Sequence, residues 1–407
     1  MINLEVPKKF RPLVDQAHQV ALEVFRANSR KYDRAEHAYP KELDMLASVL
    51  DGMNASGAGG GAGAAGVRRE AAGGSGENRN GSNLSTCLGI MELCWGDVGM
   101  LLAMPRQGLG NSAIASVANE EQLERFKGRW AAMAITEPGC GSDSANIRTT
   151  AVLDGDHYVL NGEKIYVTSG DRADLVVVWA TLDRAVGRAA IKSFVVEKGT
   201  PGFELVRLEH KLGIRASDTA AFLLKDVRVP KENLLGDPEV NADKGFAGVM
   251  QTFDNTRPLV AAMAVGLTRA CLEETWKLLE TAGIRVDYTR PSLSQSAAAS
   301  TLLGLEADYE AARLLTLQAA WMADNRKPNS TQASMAKAKA GRTCVDVALK
   351  CVEICGSLGY AEGSGGVGLL EKWARDAKIL DIFEGTQQIQ LLIVARRLLG
   401  KSSAELK

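Results

Sequence analysis

From Val6 to Asp51 the apolar positions recur at helical spacing, with Val14, Val20, Ala21, Val24 and Phe25 on one face and a second run, opened by Pro40, through Leu43, Leu46 and Leu50. Ala55 to Asn83 breaks that pattern: it is rich in Gly and Ala, studded with polar residues, and too poor in large side chains to hold one conformation unaided, so it reads as a mobile loop. Helical spacing returns from Leu84 to Phe126 and changes character at Trp130. Beyond it, Tyr158–Leu160, Ile165–Thr168, Leu175–Thr181, Ser193–Val196 and Ala221–Val229 are short and rich in β-branched or aromatic residues. Turn signals separate them: Asp154-Gly155-Asp156, Asn161-Gly162 and Pro201-Gly202. This predicts an antiparallel β region. Past Gly245 the helical period is restored through Leu272–Leu279, Leu302–Met322, Ala333–Cys355 and Ile389–Leu399, the pattern of a four-helix bundle. The expected class is α+β, with an all-α region over 1–130, a β domain over 131–241 and a helical bundle over 242–407.

Composition narrows the chemistry. A net charge of -1 with acidic and basic residues interspersed gives no electrostatic reason to bind nucleic acid or an anionic membrane, and no span reaches membrane-helix length. Residues 1–11 resemble neither a signal sequence nor a transit peptide, so a cytoplasmic protein is expected. The seven cysteines lack metal-ligand spacing and read as reduced, packed thiols. With only His18, His37, His157 and His210, histidine catalysis and His-ligated metals are poorly supported, which leaves carboxylate or cofactor chemistry and a small-molecule substrate. Gly61-Ala62-Gly63-Ala64-Ala65-Gly66 spells the dinucleotide fingerprint G-x-G-x-x-G, but no strand delivers it and the glycines continue on both sides, so it is low-complexity sequence.

Three segments carry candidate chemistry. In Thr136-Glu137-Pro138-Gly139-Cys140-Gly141-Ser142-Asp143 the hydroxyls and small residues let a loop lie against a flat polar ligand, although such a loop is also an ordinary turn. Tyr166 and Thr168, two apart on a strand, share a face, where one could cover an aromatic cofactor and the other bond to it. Glu384 sits between an amphipathic run and Gly385, ahead of a helix that Thr386 can cap. That layout suits a base presented into a pocket, and equally a surface acid.

These segments resemble the acyl-CoA dehydrogenase family. Thr136 to Asp143 follows its T-E-P-x-x-G-S-D, Asn161 to Thr168 its N-G-x-K-x-(aromatic)-(aliphatic)-T, and Asp254 to Arg257 its D-x-T-R. Arg375 to Gln390 follows R-D-A-K-I…(Y/F)-E-G-T-x-x-I-Q, and the resemblance covers nearly the whole chain. It implies an FAD enzyme that converts an acyl-CoA to the trans-2-enoyl-CoA, passes electrons to an electron-transfer flavoprotein, serves fatty acid metabolism and assembles as a homodimer or homotetramer. Carried onto this chain, it implies flavin contacts from Ile135, Thr136, Ser142, Tyr166 and Thr168, and adenylate contacts from Thr386 and Gln388. It also implies a pyrophosphate contact from Arg285, although Arg285-Val286-Asp287-Tyr288-Thr289 replaces the usual R-x-x-F-G. Glu353 stands where many members place a Gln against the neighbouring subunit's FAD. Glu384 would be the base, because the family's alternative position holds Thr256, and thioester contacts would come from Ser142, Asp254, Thr256, Arg257 and Gly385. An oxygen-using acyl-CoA oxidase and a partner-dependent, non-catalytic flavin or acyl-CoA binding subunit are the competing readings.

Overall fold

The computed structural model describes residues 6–55, 80–106, 108–240, 247–362, 368–402 and 405. Helices α1 (Arg11–Val20) and α2 (Ala27–Arg34) are joined by a π-helical turn, Ala21–Arg26, and α3 (Glu42–Ala55) follows. Then come α4 (Ser82–Gly96), α5 (Val98–Leu102), α6 (Leu109–Val117) and α7 (Glu120–Arg125). α4 is apolar nearly all round because it is buried on every side from Leu84 to Gly96. α7 opens with a capping box in which Asn119 and Gln122 bond each other's backbone N–H groups. The expected loop over 55–83 is shorter at its far end, since Ser82 and Asn83 already belong to α4; residues 56–79, with the glycine-rich fingerprint, lie outside the described residues.

The central sheet has eight strands: β1 (Ala131–Ala134), β2 (Thr150–Asp154), β3 (His157–Thr168), β4 (Leu175–Thr181), β5 (Ile191–Glu197), β6 (Phe203–Leu208), β7 (Thr219–Pro230) and β8 (Leu234–Leu235). Their order is β6-β7-β3-β2-β4-β5-β8, with β1 beside β4. The sheet is mainly antiparallel, as expected, with β1 and β2 added beside β4 in parallel. The two segments expected around Asn161-Gly162 are one strand: the pair is not a turn but a register shift against β7, between Leu160 and Gly162. Gly155-Asp156, by contrast, closes the β2–β3 hairpin as its turn signal implied.

The C-terminal part comprises α8 (Ala247–Thr281), α9 (Ala297–Asp324), α10 (Ser330–Cys355), the short α11 (Ser357–Tyr360), α12 (Leu370–Leu380) and α13 (Gln387–Leu399). α12 is an element beyond the four expected stretches. Its apolar face, Trp373, Ala377 and Leu380, is buried in a core shared with Phe25, Met100 and Leu267, so N- and C-terminal helices form one apolar interior. A second core, around Leu160, Phe194, Phe222 and Val227, fills the sheet. Six of the cysteines are buried, Cys355 is half-buried, and all seven are free thiols, as expected.

The joint between the three parts is polar. Lys372 of α12 is 1% exposed and bridges Asp97 at 2.6 Å and Asp376 at 2.5 Å. Asp97 caps α5 through the Met100 N–H and accepts from the Ser29 hydroxyl, while Asp376 accepts from the Ile214 N–H at 2.5 Å. Arg375 adds a fork to Asp33 and donates to the Leu212 carbonyl. One turn of α12 therefore ties α2, α5 and the segment between β6 and β7 together.

Candidate active site

α12 ends at Leu380, where the Ile382 and Phe383 N–H groups both turn back to the Ile379 carbonyl. The chain then reverses through two left-handed residues, Glu384 (φ 56°) and Gly385 (φ 84°), before Thr386 caps α13 by accepting from the Ile389 N–H. For Gly385 the conformation is natural, and a Cβ there would lie 2.4 Å from Gln390 Nε2. For Glu384 it costs about 1 kcal/mol or more, so the surroundings must hold it. They do so through Gln390, wholly buried, whose Nε2 donates to the Glu384 carbonyl at 3.0 Å, and Lys337 of α10, whose Nζ donates to the Gly385 carbonyl at 2.7 Å.

The result is a carboxylate delivered into the interior. Glu384 Oε1 is buried with no hydrogen-bond partner, and the Thr256 hydroxyl of α8 bonds the carboxylate. Burial pushes the Glu384 carboxyl above the usual range, against the opposing pull of Thr256, Arg257 and Lys337. Arg257 is itself buried and donates to Ser334 Oγ at 3.4 Å. The structure thus brings Thr256, Arg257, Glu384 and Gly385 together, as the sequence suggested. Asp254 lies in α8 two residues before Thr256, and its side chain is outside those described.

On the sheet, the loop after β1 is anchored from below. Glu137 is buried, accepts from the Arg148 and Thr149 N–H groups and the Thr149 hydroxyl, and pairs with the fully buried Lys164 at 2.8 Å. Lys164 also donates to the Ile135 carbonyl at 3.1 Å, and the Ile165 N–H bonds the Thr136 carbonyl at 2.9 Å, so the loop is laced to β3. Burial tends to raise the Glu137 carboxyl, but Lys164 and Thr149 outweigh it and hold it below the usual range. A register shift between Lys164 and Val167, with Tyr166 at φ 57°, turns the Tyr166 ring outward to 62% exposure while Val167 is buried. Ile135 and Thr136 are thereby held against β3 next to the segment that carries Tyr166 and Thr168, and Ser142 is exposed.

The remaining expected contacts stand apart in this single chain. Arg285 is exposed on the segment after α8, 3.9 Å from Glu280, and Gln388 is exposed on the first turn of α13. Glu353 is exposed and pairs with Lys350 at 2.6 Å. Three features escaped the sequence reading. Lys337 falls on the core stripe of α10 with Ala333, Ala340 and Cys344, a helical spacing that could have marked it as a buried charge. Glu137 and Lys164 were read only as motif letters, not as the anchor they form. His37 and His210, distant in sequence, lie with ring centroids 4.9 Å apart around Glu36, which accepts from His210 Nδ1 at 2.9 Å.

A helical–sheet–helical frame that carries a buried carboxylate oxygen on its C-terminal helices and an outward aromatic with hydroxyls on its sheet belongs to the class of flavin-dependent dehydrogenases. Comparison with known proteins agrees. The family profile "Acyl-CoA dehydrogenase, middle domain" matches residues 132–227, and "Acyl-CoA dehydrogenase, C-terminal domain" matches residues 243–399. The short-chain specific acyl-CoA dehydrogenase of Clostridium acetobutylicum is 34% identical over 326 residues, 78% of this chain and 83% of that one. The CarC subunit of the caffeyl-CoA reductase–Etf complex of Acetobacterium woodii is 34% identical over 312 residues, 75% of this chain and 79% of its own. The structure of butyryl-CoA dehydrogenase from Megasphaera elsdenii superposes with a TM-score of 0.81 at 30% identity, covering 98% of this chain and 100% of that one. The chain belongs to the acyl-CoA dehydrogenase family. It is an FAD-dependent oxidoreductase acting on the CH–CH bond of an acyl-CoA. Its residues fit a flavin: an outward-turned Tyr166 face and the Thr136 and Thr168 hydroxyls offer the stacking surface and polar groups that an isoalloxazine edge requires.

Proposed function

We propose that Glu384 is the general base of the dehydrogenation, removing the α-proton of an acyl-CoA thioester. The observation that carries this reading is its buried, unpartnered Oε1: a carboxylate oxygen stripped of water and protein donors is free to take a proton from carbon. Burial, which raises its carboxyl, makes it a stronger base than a solvated Glu. Thr256 cannot act as a base and instead steadies the carboxylate. In the reaction the α C–H bond breaks and its proton passes to Glu384, the β-hydrogen leaves with its electron pair, and a trans C2–C3 double bond forms. Bound FAD supplies the two-electron acceptor for that hydride.

In the same reading Ile135, Thr136, Ser142, Tyr166 and Thr168 hold the flavin, and Ser142, Asp254, Thr256, Arg257 and Gly385 contact the thioester. Arg285, Thr386 and Gln388 reach the pyrophosphate and adenylate half across a subunit contact. Exposure of Arg285 and Gln388 in the single chain supports a homo-oligomer, in which a second copy meets them. The name of the Acetobacterium relative, a subunit of an Etf complex, supports an electron-transfer flavoprotein as acceptor. The Clostridium and Megasphaera names support a short acyl chain. Among the described residues no helix is long and apolar enough to cross a membrane, and we place the enzyme in the cytoplasm.

The test is anaerobic bleaching of the yellow holoenzyme by a panel of straight-chain acyl-CoAs. Short chains should bleach the wild type, while Glu384→Gln should keep its FAD and stay yellow. Bleaching of that variant at the wild-type rate would overturn the assignment. Peroxide formed stoichiometrically with enoyl product under air would favour the oxidase reading over the electron-transfer partner.

A further inference from the structure

The mechanism above uses Glu384 but leaves one buried charge beside it without a task. Lys337 is 1% exposed, in the third turn of α10, with its Nζ 2.7 Å from the Gly385 carbonyl. We infer that Lys337 is a positioning residue for the reaction, its ammonium locking the left-handed Glu384–Gly385 turn and setting a positive charge behind the base. This inference rests on Glu384 being that base.

Geometry supports it at three points. α10 lies directly against the end of α12, where an added Cβ on Gly341, one turn after Lys337, would come within 2.5 Å of the Leu380 carbonyl. From there Lys337 reaches the carbonyl of the residue after Glu384, while Gln390 of α13 takes the Glu384 carbonyl itself. Both peptide oxygens of the strained turn are thereby drawn inward by buried donors, so the Glu384 side chain has one backbone frame to project from. The charged groups facing Lys337 are Asp381 and Glu384 of the turn and Arg257 of α8. Asp381 is engaged through Oδ2 by Lys378 at 3.1 Å, with Arg342 at 3.9 Å, while its Oδ1, like Glu384 Oε1, is buried without a hydrogen-bond partner.

An ammonium in this place favours the ionised Glu384 and opposes the burial that would protonate it. Burial also lowers Lys337 itself, to about 8, against the pull of Asp381 and Glu384. Lys337 is therefore protonated below that pH, so its charge is present while Glu384 works as a carboxylate.

The experiment is a steady-state pH profile of wild-type, Lys337→Met, Lys337→Gln, Lys337→Arg and Glu384→Gln holoenzymes, with an acyl-CoA and a dye acceptor. FAD content is measured in each. For Lys337→Met the acid limb of log kcat/KM should move up by about one pH unit. Its kcat should fall about tenfold, with KM and FAD content held. Lys337→Gln, which can donate to the Gly385 carbonyl without charge, should show the same displaced limb with a smaller loss of kcat. Lys337→Arg should restore the limb. Acid limbs of the Met and Gln variants that coincide with the wild type would overturn the inference and leave Lys337 a structural donor. An active Glu384→Gln would overturn the base assignment itself, a separate failure with a separate readout.

Discussion

Two buried lysines, Lys337 of α10 and Lys372 of α12, each 1% exposed, have opposite surroundings. Lys372 has two carboxylates, Asp97 and Asp376, each further bonded to backbone or hydroxyl donors, and their pull raises its ammonium well above the usual range in spite of burial. Lys337 gives its hydrogen bond to a backbone carbonyl, and burial drives it down to about 8. A charge with saturated partners holds segments together. A charge with too few partners destabilises the fold on its own, so its presence points to a task, and this one lies against the catalytic turn. The contrast separates the frame of the enzyme from its working site on physical grounds.

Substituting each lysine alike should break the symmetry most sharply. Lys372→Met strands two buried carboxylates and should cost about 3–5 kcal/mol, seen as a large drop in the thermal midpoint of the holoenzyme. A change within 1 kcal/mol would mean that the Lys372 node is not what joins the helical parts to the sheet. For Lys337, lowering from 10.5 to about 8 corresponds to roughly 3 kcal/mol of desolvation cost at pH 7. Lys337→Met removes that cost and loses a charged hydrogen bond of about 1.5–3 kcal/mol, so at pH 7 it should be neutral to stabilising by about 1.5 kcal/mol.

The pH dependence has a definite sign. Between the folded value of about 8 and the unfolded value of 10.5, the unfolded chain holds more protons at Lys337, so wild-type stability from this group rises with pH. The advantage of Lys337→Met should therefore shrink from pH 8 to pH 10.5 and reverse above it, where only the lost hydrogen bond to the Gly385 carbonyl remains. Denaturation midpoints across that range check this, and a constant offset would show that Lys337 is solvated. Thr256→Val should act on the base as well as on the thioester contact: removing the hydroxyl that favours the carboxylate should raise the acid limb of the pH profile, with stability nearly unchanged. The smallest stability effect belongs to Arg285→Ala, within about 0.5 kcal/mol for an exposed side chain. If Arg285 grips a cofactor across a subunit contact, that variant should still release FAD more readily on dilution, and unchanged retention would remove it from the site.

Much of the frame was legible in the sequence because each part has its own period. The order of helical and β regions follows from the switches near Trp130 and Gly245, and β4 was read with its observed bounds since Leu175–Thr181 is a run of apolar, mostly β-branched or aromatic residues that follows Asp174 and closes on Thr181. β1 was missed because Ala131-Ala132-Met133-Ala134 has little β character, and tertiary pairing with β4 decides its state. The parallel pairings leave no local trace at all. At the site, Glu384 stood out through the glycine after it and the cap that follows. Lys337 did not, because Ser334-Met335-Ala336-Lys337-Ala338-Lys339 has the look of any alanine-rich helix with solvated lysines. Its spacing from Ala333, Ala340 and Cys344 was the signal passed over, and the packing of α10 on the turn is what turns that lysine inward.

The central claim, that Glu384 takes the α-proton, is tested most directly by separating proton removal from oxidation. A 3-thia-acyl-CoA has an acidic α C–H bond and no β-hydrogen to lose. Incubated with holoenzyme in deuterium oxide, it should acquire α-deuterium with the wild type and none above background with Glu384→Gln, although both bind it and both keep FAD. Exchange by Glu384→Gln at the wild-type rate would contradict the account.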